Sequence, residues 1–415
     1  MKKFLQGGFW VVLRQFGTRL IGLGVFYVIS TLSGPEELGI MGLAWVLVAI
    51  ADGVFGMGMN VAALRRETLA DREASTLFWS LMGQAVIWCL VLYLGAPWVA
   101  KAFEAEALVW MVRALGLVFL FRAVQMVPVL MLTRRLALRK LALIDLMAVC
   151  LSGAVGIYLA KEGYGAWSLV WRHVVSVAIV TGLAFWVASW KPRLLFSGGV
   201  AREFLKFGAP VCLSLNVAWL VELQFQQAMV GTVLGTLVLG LYNYAKKPFD
   251  VGAQVLNSVC SSVLVPYLVK RGSGEERDFF MRYTCVSAIL VALAGMVFFL
   301  GAFAWIESVQ FGAGSDWEEA YRLMPLLGLV FCVKAMNVVF RSCHVVLGTA
   351  SSLSLISVGE AAVSVLAIIV LVGRGIEYVV FASIGANLLS CLLLFATLFR
   401  RLEFRKSWVQ CERVA

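Results

Sequence analysis

From Phe9 to Phe399 the chain offers about twelve long apolar runs, each separated from the next by a short polar break. A helix needs about 20 apolar residues to cross the roughly 30 Å hydrocarbon core of a bilayer. Runs of that length placed back to back leave almost nothing outside the membrane. The composition agrees: 61% of residues are hydrophobic and 14% are charged, where a soluble domain carries about 25% charged residues. The expected fold is an all-α integral membrane protein of about twelve transmembrane helices, and any function must be located between helices at membrane depth.

The spans are expected at 7–32, 38–63, 75–101, 107–133, 140–160, 165–189, 203–230, 236–268, 279–306, 319–347, 350–372 and 377–399. The longest breaks are Trp190 to Glu203, Lys270 to Asp278 and Glu307 to Glu319. The break from Trp190 to Arg202 lies near the midpoint and contains Lys-Pro-Arg and Ser-Gly-Gly, which suit a flexible connector. It divides the chain into two six-helix bundles, 1–195 and 196–415, the second ending in a short tail.

An internal repeat supports that division. Leu32-Ser-Gly-Pro-Glu-Glu-Leu-Gly-Ile-Met-Gly-Leu-Ala44 can be laid on Val233-Leu-Gly-Thr-Leu-Val-Leu-Gly-Leu-Tyr-Asn-Tyr-Ala245. Gly34 then meets Gly235, Leu38 meets Leu239, Gly39 meets Gly240 and Ala44 meets Ala245. Each segment is the turn between the first and second spans of its half. Six spans per half gives both halves one orientation, so they are parallel repeats about an axis along the membrane normal.

The net charge of +11 falls in alternate breaks. Lys2 and Lys3, Arg65, Arg66 and Arg72, Arg134, Arg135, Arg139 and Lys140, Lys191, Arg193 and Arg202, Lys270, Arg271 and Arg277, and Arg400, Arg401, Arg405 and Lys406 lie on one side. The intervening breaks hold few basic residues. This asymmetry places both termini in the cytoplasm. It leaves no continuous basic patch, which argues against a nucleic-acid partner. The opening Met-Lys-Lys is followed by an apolar run that continues to Leu32 with Arg14 and Arg19 inside it. A secretory leader has a shorter core and a small-residue cleavage site, so a retained first span is expected. The nine cysteines sit mostly within spans, with no CxxC spacing, as buried packing residues do.

Ionisable groups within spans are candidate functional residues, because a charge at the centre of a membrane helix costs about 2.5–3.5 kcal/mol even on the lenient insertion scale. The basic ones are Arg14, Arg19, Arg113, Arg122, Arg172, Lys206, Lys246, Lys247, Lys334 and Arg341; the acidic ones are Asp52, Asp145, Glu222, Asp250 and Glu360. The basic surplus points to a hydrated cavity that attracts an anion. Arg14, Arg19, Arg113, Arg122, Arg172, Lys246, Lys247, Lys334, Asn337 and Arg341 are the candidates to line it. Asp52, Asp145, Glu222 and Glu360 are candidates for ion coupling or for pairing. Lys334, Asn337 and Arg341 share one helix face at i, i+3, i+7, and Asp52, Gly56 and Asn60 make a polar and small stripe. Arg14 and Arg19 stand about 140° apart on a helix. Arg113 and Arg122 lie on nearly opposite faces, so at least one snorkels or pairs elsewhere. Pro248, after Lys246 and Lys247, should free a backbone carbonyl and kink its helix. His173 and His344 lack metal-ligand spacing; no metal and no cofactor are expected. No GxxxxGK[ST], HExxH or GxSxG is present, so no nucleotide hydrolysis is expected and the chain reads as a non-enzyme.

Four segments carry a resemblance. Leu32-Ser-Gly-Pro-Glu-Glu-Leu-Gly39 is like an L-x-P-E-x-x-G turn, and Gly163-Tyr-Gly-Ala-Trp-Ser-Leu-Val170 is like a G-x-G-x-W-A-L-V helix start. Val230-Gly-Thr-Val-Leu-Gly235 with Leu239-Gly-Leu-Tyr-Asn-Tyr-Ala245 is like a G-x-x-L-G…L-G-x-Y-x-x-A segment. Gly312 through Trp317-Glu-Glu-Ala320 is like the loop before the tenth span. In this order and topology the chain resembles the polysaccharide transporters, oligosaccharide-lipid flippases of the multidrug/oligosaccharidyl-lipid/polysaccharide (MOP) exporter superfamily. The family often carries an acidic-basic pair before the G-x-x-L-G segment; here Gln226 and Gln227 stand there, with Glu222 one turn earlier. The resemblance implies two six-helix bundles in a V around a central cavity, a bacterial inner membrane, and a polyprenyl-(pyro)phosphate-linked oligosaccharide flipped by alternating access, coupled to a proton or sodium gradient. Membrane lipids and polysaccharide-assembly enzymes are the implied partners. Arginine suits the phosphates because its planar fork donates two bonds. Tyr242, Tyr244, Trp45, Trp167 and Trp219 are candidate sugar platforms, with Trp167 also suited to a belt at the membrane surface. Two other readings stay open: a cation-coupled exporter of small molecules, which favours a carboxylate-rich cavity, and a membrane-embedded glycosyl- or acyltransferase, which needs acid/base pairs near an interface.

Overall fold

The computed structural model describes residues 2–66, 68–260, 301, 315–346 and 350–414. All of the ninth expected span at 279–306 except Gly301, the loop from Lys270 to Asp278, and the side chains of Glu222 and Trp219 lie outside the described residues. The helices are α1 (Lys2–Ser33), α2 (Pro35–Val54), α3 (Met59–Arg65), α4 (Asp71–Ala102), α5 (Leu108–Arg134), α6 (Leu138–Lys161), α7 (Ala166–Ala188), α8 (Gly198–Val233), α9 (Thr236–Val259), α10 (Glu318–Val346), α11 (Ala350–Leu371) and α12 (Ile376–Val414). Nine spans among the described residues are long and apolar enough to cross a membrane, with α2 and α3 together making one of them. The protein is an all-α, multi-pass membrane protein. Its outward surface carries the large apolar side chains a lipid solvent accepts: Trp98 is 79% exposed, Trp186 78% and Leu94 66%.

Glycine and acidic residues set the helix starts. Gly34 precedes α2 at φ 88°, Pro35 takes the first helical position, where its missing N–H costs nothing, and Glu36 and Glu37 complement the helix dipole. Gly163 and Gly165 turn the chain into α7 at φ 82° and 52°. Glu37 then reaches across to accept the free amide of Ala166 at 2.8 Å, and Ser33 Oγ donates to the carbonyl of Gly165 at 3.4 Å. The Pro-Glu-Glu turn therefore caps the helix that the Gly-Tyr-Gly-Ala-Trp segment begins.

One expected span is not continuous. The run 38–63 breaks at Phe55–Gly58, where Gly56, Met57 and Gly58 adopt φ 76°, 39° and 66°. Gly56 and Gly58 adopt left-handed backbone here without a Cβ penalty. Gln84 repairs part of the lost ladder by accepting the Gly56 N–H at 3.0 Å. The backbone of Gly208 on α8 lies so close that a Cβ on Gly58 would overlap its carbonyl.

By its internal contacts the chain forms two compact units, Met1–Tyr244 and Ala245–Ala415. In the first unit α1 packs on α6, α4 on α5, α7 on α5 and α6, and α8 on α2 and α3. Small residues permit the α1–α6 approach: a Cβ on Gly153 would stand 2.7 Å from Val25, and one on Gly156 would stand 2.8 Å from Ile29. The segment expected as a flexible connector is tied to the start of α4. Trp79 Nε1 donates to the Arg193 carbonyl at 2.9 Å, the Arg193 amide donates to Ser75 Oγ at 3.2 Å, and Ser197 donates to Thr76 Oγ1 at 3.1 Å. In the second unit α12 packs on α10 and α11.

Candidate substrate site

The close α1–α6 packing puts Asp145 beside Arg14, whose Nε donates to Oδ2 at 2.5 Å. One turn along α1, Thr18 Oγ1 donates a hydrogen bond to the Arg14 carbonyl at 2.6 Å. Val11, Arg14, Gln15, Thr18, Arg19, Leu138 and Asp145 line a cavity of about 240 Å³. A single water needs only roughly 10–15 Å³ of such space, so the cavity holds several waters or a small anionic group. Arg19 is one of the lining residues, and its Nη1 is buried behind the lining without a hydrogen-bond partner. An orphaned guanidinium donor is costly to bury, and an anion is the chemistry that satisfies it.

The polar groups continue beyond this cavity within the first unit. Arg172 Nη2 donates to the Gly22 carbonyl at 3.4 Å, one turn past Arg19. Its neighbour His173 meets the Trp45 ring edge-on at 4.7 Å between centroids, has Arg122 and Arg172 as charged neighbours, and buries an Nε2 without a partner. Arg122 is ion-paired with Asp52 on α2. Four α1, α5 and α7 arginines (Arg14, Arg19, Arg122 and Arg172) thus face two described carboxylates, Asp52 and Asp145. Among the described residues Arg19 and Arg172 have no carboxylate.

Arg113 is placed elsewhere. Its guanidinium lies 4.2 Å from the Tyr93 ring and 5.0 Å from the Trp110 ring and its Nε donates to the Tyr93 carbonyl at 3.3 Å. Both rings belong to exposed residues, so Arg113 stays on the outer side of α5 while Arg122 points inward, as their helical offset requires. Tyr242 and Tyr244 are 2% and 1% exposed and present no open ring face to a sugar. Trp45 and Trp167 are half-buried.

The second unit has its own network. Arg341 on α10 is ion-paired with Glu360 on α11, and Ser390 on α12 donates to the same carboxylate oxygen at 2.8 Å. Asn337 Nδ2 donates to the Asn387 carbonyl at 3.0 Å, and Asn387 Nδ2 to the Ser383 carbonyl at 2.8 Å. Lys334, on the same face of α10, is half-buried. Lys246 is buried and Lys247 half-buried on α9. The sequence reading missed the α12 members, although Ser383, Asn387 and Ser390 at i, i+4, i+7 were a visible polar stripe. It also missed the Trp45–His173 contact, which has no local signal because the two residues meet only through tertiary packing.

These features define a class of protein: an all-helical, multi-pass membrane protein with buried charge networks between its helices. The structure matches the lipid II flippase MurJ in its inward closed conformation with a TM-score of 0.75 and 12% identity, covering 94% of this chain and 87% of that one. It matches an inward-facing multidrug resistance MATE family transporter of the MOP superfamily with a TM-score of 0.69 and 14% identity, covering 94% of this chain and 95% of that one. At such identities the likeness concerns the fold. Residues 28–322 match the model of the family described as "Polysaccharide biosynthesis protein", and the chain belongs to that family. It is 24% identical over 345 residues to the teichuronic acid biosynthesis protein TuaB of Bacillus subtilis, covering 81% of this chain and 69% of that protein. It is 24% identical to the succinoglycan biosynthesis transport protein ExoT of Rhizobium meliloti, covering 77% of this chain and 64% of that protein. It is 22% identical to the lipopolysaccharide biosynthesis protein WzxC of Escherichia coli, covering 81% and 68%. The matched stretch spans about two thirds of the length of these relatives.

Proposed function

We propose that this protein flips a polyprenyl-(pyro)phosphate-linked oligosaccharide across a bacterial cytoplasmic membrane during cell-surface polysaccharide synthesis. Both termini face the cytoplasm in this reading, because the basic breaks include those next to the ends. The observation that carries it is the cavity beside α1, where Arg14, Thr18 and Arg19 converge and a buried guanidinium donor is left over. A phosphate oxygen fits that donor, and the arginine fork offers two parallel charge-assisted bonds. Family membership supports the sugar part of the substrate, and the names of ExoT and WzxC support transport in polysaccharide assembly.

The chemistry is binding and release. The cavity arginines hold the carrier's phosphate while the lipid tail remains in the bilayer. The sugars occupy hydrated space, and a change of conformation moves the head group to the other side. A cation-binding exporter is disfavoured by the same geometry, since Asp52, Asp145 and Glu360 are each held by an arginine. A proton or sodium gradient is the proposed energy source. Collapsing each gradient separately with an ionophore identifies which one drives turnover.

The test is translocation of a fluorescent polyprenyl-linked oligosaccharide between leaflets of proteoliposomes. Wild type is expected to move it, and Arg19→Gln and Arg122→Gln to move it more slowly at unchanged folding. Equal rates for all three proteins would refute the assignment of the site. No movement by wild type under either gradient would refute the substrate.

A further inference from the structure

Pro97 lies inside α4. A proline has no N–H, so the carbonyl four residues earlier, that of Tyr93, loses its helical donor. Arg113 of α5 provides another, its Nε donating to that carbonyl at 3.3 Å. The same guanidinium lies 4.2 Å from the Tyr93 ring and 5.0 Å from the Trp110 ring. One hydrogen bond and two rings therefore fix its position. Its Nε is occupied, but among the described residues neither Nη has a hydrogen bond or an ion pair. Neither Nη is sealed inside the protein. The fork is held at its base and open at its tip.

The surroundings of that tip are lipid-facing. Leu90 and Pro97 flank Tyr93 at i−3 and i+4 on α4, and Trp110 and Leu117 flank Arg113 at i−3 and i+4 on α5; all four are exposed. A cation on such a face needs an anionic partner or a route to the membrane surface. α5 begins at Leu108, so Arg113 stands about 7.5 Å from its end. Helical side chains lean towards the N-terminus, which carries the guanidinium to the level where hydrocarbon gives way to headgroups, the level that Tyr and Trp favour. The abundant anion at that depth is the phosphodiester of a glycerophospholipid, and an arginine fork bonds two of its oxygens at once. The turn above carries Glu104 and Glu106 beside Lys101, all exposed. No broad positive field draws anions here, and recognition depends on the one fixed guanidinium.

We propose that Arg113, Tyr93 and Trp110 form a binding site for one membrane glycerophospholipid, held by its phosphate. The two Nη groups of Arg113 bond the phosphate oxygens, and the acyl chains run along the exposed face of α4 and α5 past Leu90 and Leu117. In the orientation proposed above this lipid belongs to the outer leaflet. It is a resident lipid and not a transported carrier, because Arg113 and Arg122 point to opposite sides of α5. The site stands whether or not the transport reading does.

The test is native mass spectrometry of the full chain released from detergent micelles during a titration with phosphatidylglycerol. Wild type is expected to retain one phospholipid at low lipid concentration. Phosphatidylethanolamine should be retained alike, and diacylglycerol, which has the same chains and no phosphate, should not. Arg113→Gln is expected to weaken retention of that first lipid roughly tenfold, the loss of a hydrogen bond to a charged group. Lys161→Gln, which removes one exposed charge at the end of α6, should leave it unchanged. Pro97→Ala returns a helical donor to the Tyr93 carbonyl and releases Nε. It should weaken retention about threefold through lost preorganisation, while the melting temperature holds or rises. A purely structural role for Arg113 would not give that split. Equal retention by wild type and Arg113→Gln overturns the site, as does an equal loss in Lys161→Gln, which would mean diffuse attraction. Diacylglycerol retained as well as phosphatidylglycerol would assign the face to acyl packing alone, and a polyprenyl-linked carrier retained in place of phospholipid would assign it to that carrier; either result removes the proposal. A lipid-free dimer that Arg113→Gln dissolves does the same.

Discussion

The two units use the same pairing and leave it in different states. In the first, Arg14–Asp145 and Arg122–Asp52 sit among further cationic groups, with Arg19 and His173 holding buried atoms that have no partner. In the second, Glu360 accepts from both Arg341 and Ser390 and is itself buried, and the buried atoms without a partner there include two neutral ones, Asn337 Oδ1 and Ser364 Oγ. A buried charge that is fully paired stabilises a particular packing. A cationic donor left over is a place for an anion to bind. The first network therefore reads as a site and the second as a strut, and substitutions can break or sharpen that distinction.

The largest effect is expected in the strut. Glu360→Ala strands Arg341 and removes the acceptor of Ser390. Breaking one partner of a buried ion pair costs about 3–5 kcal/mol. The lower end applies here, because the Arg341 side chain is 34% exposed. Thermal unfolding in detergent should show a clear drop, and Arg341→Met with Glu360→Met together should recover much of it. A Glu360→Ala protein as stable as wild type would make the second network dispensable and the comparison empty.

Arg19→Gln comes next and should separate binding from folding. A hydrogen bond to a charged group is worth about 1.5–3 kcal/mol, so affinity for the phosphorylated carrier should fall roughly 10–100-fold. Unfolding temperature should hold or rise, because a buried donor atom without a partner has been removed. Direct binding of the lipid-linked oligosaccharide and a melting curve on the same sample give both readouts. A large loss of stability would move Arg19 from the site to the scaffold. Ser390→Ala should be milder again, costing at most about 1.5 kcal/mol, since Arg341 still holds Glu360. It should leave carrier affinity unchanged.

Much of the fold was legible because a bilayer forces it. Span-length apolar runs and alternating basic breaks leave few alternatives, and the described helices α4 to α7 begin and end within a few residues of 75–101, 107–133, 140–160 and 165–189. The interruption at Phe55–Gly58 was not read, because apolar glycine-rich sequence keeps its hydropathy whether the helix continues or breaks. The site was half legible. Its charged members stand out in an apolar chain, but which arginine meets which carboxylate is decided by helix rotation and by the glycines that set interaxial distance. Arg14 finds Asp145 across 131 positions, and no spacing rule reaches that far. The family-like segments at 32–39, 163–170 and 230–245 proved to be architecture. Glu37 caps the start of α7, and Gly39 crosses Gly240, so these motifs hold helix ends together and do not line the α1 cavity.

Arg113 provides the smallest and most discriminating case. It shares α5 with Arg122 but lies over Tyr93 and Trp110 on the side of the helix that carries exposed aromatics. A cation over an aromatic face at an exposed site is worth about 0.5–1 kcal/mol. Arg113→Gln should cost no more than that in stability and nothing measurable in translocation rate. The reason is geometric: nine residues apart on one helix, Arg113 and Arg122 cannot both face the interior. If charge alone governed function, through a diffuse attraction of the anionic carrier, Arg113→Gln and Arg122→Gln would slow transport alike. Unequal effects in the proteoliposome assay, with only Arg122→Gln impaired, would show that position and not net charge defines the site.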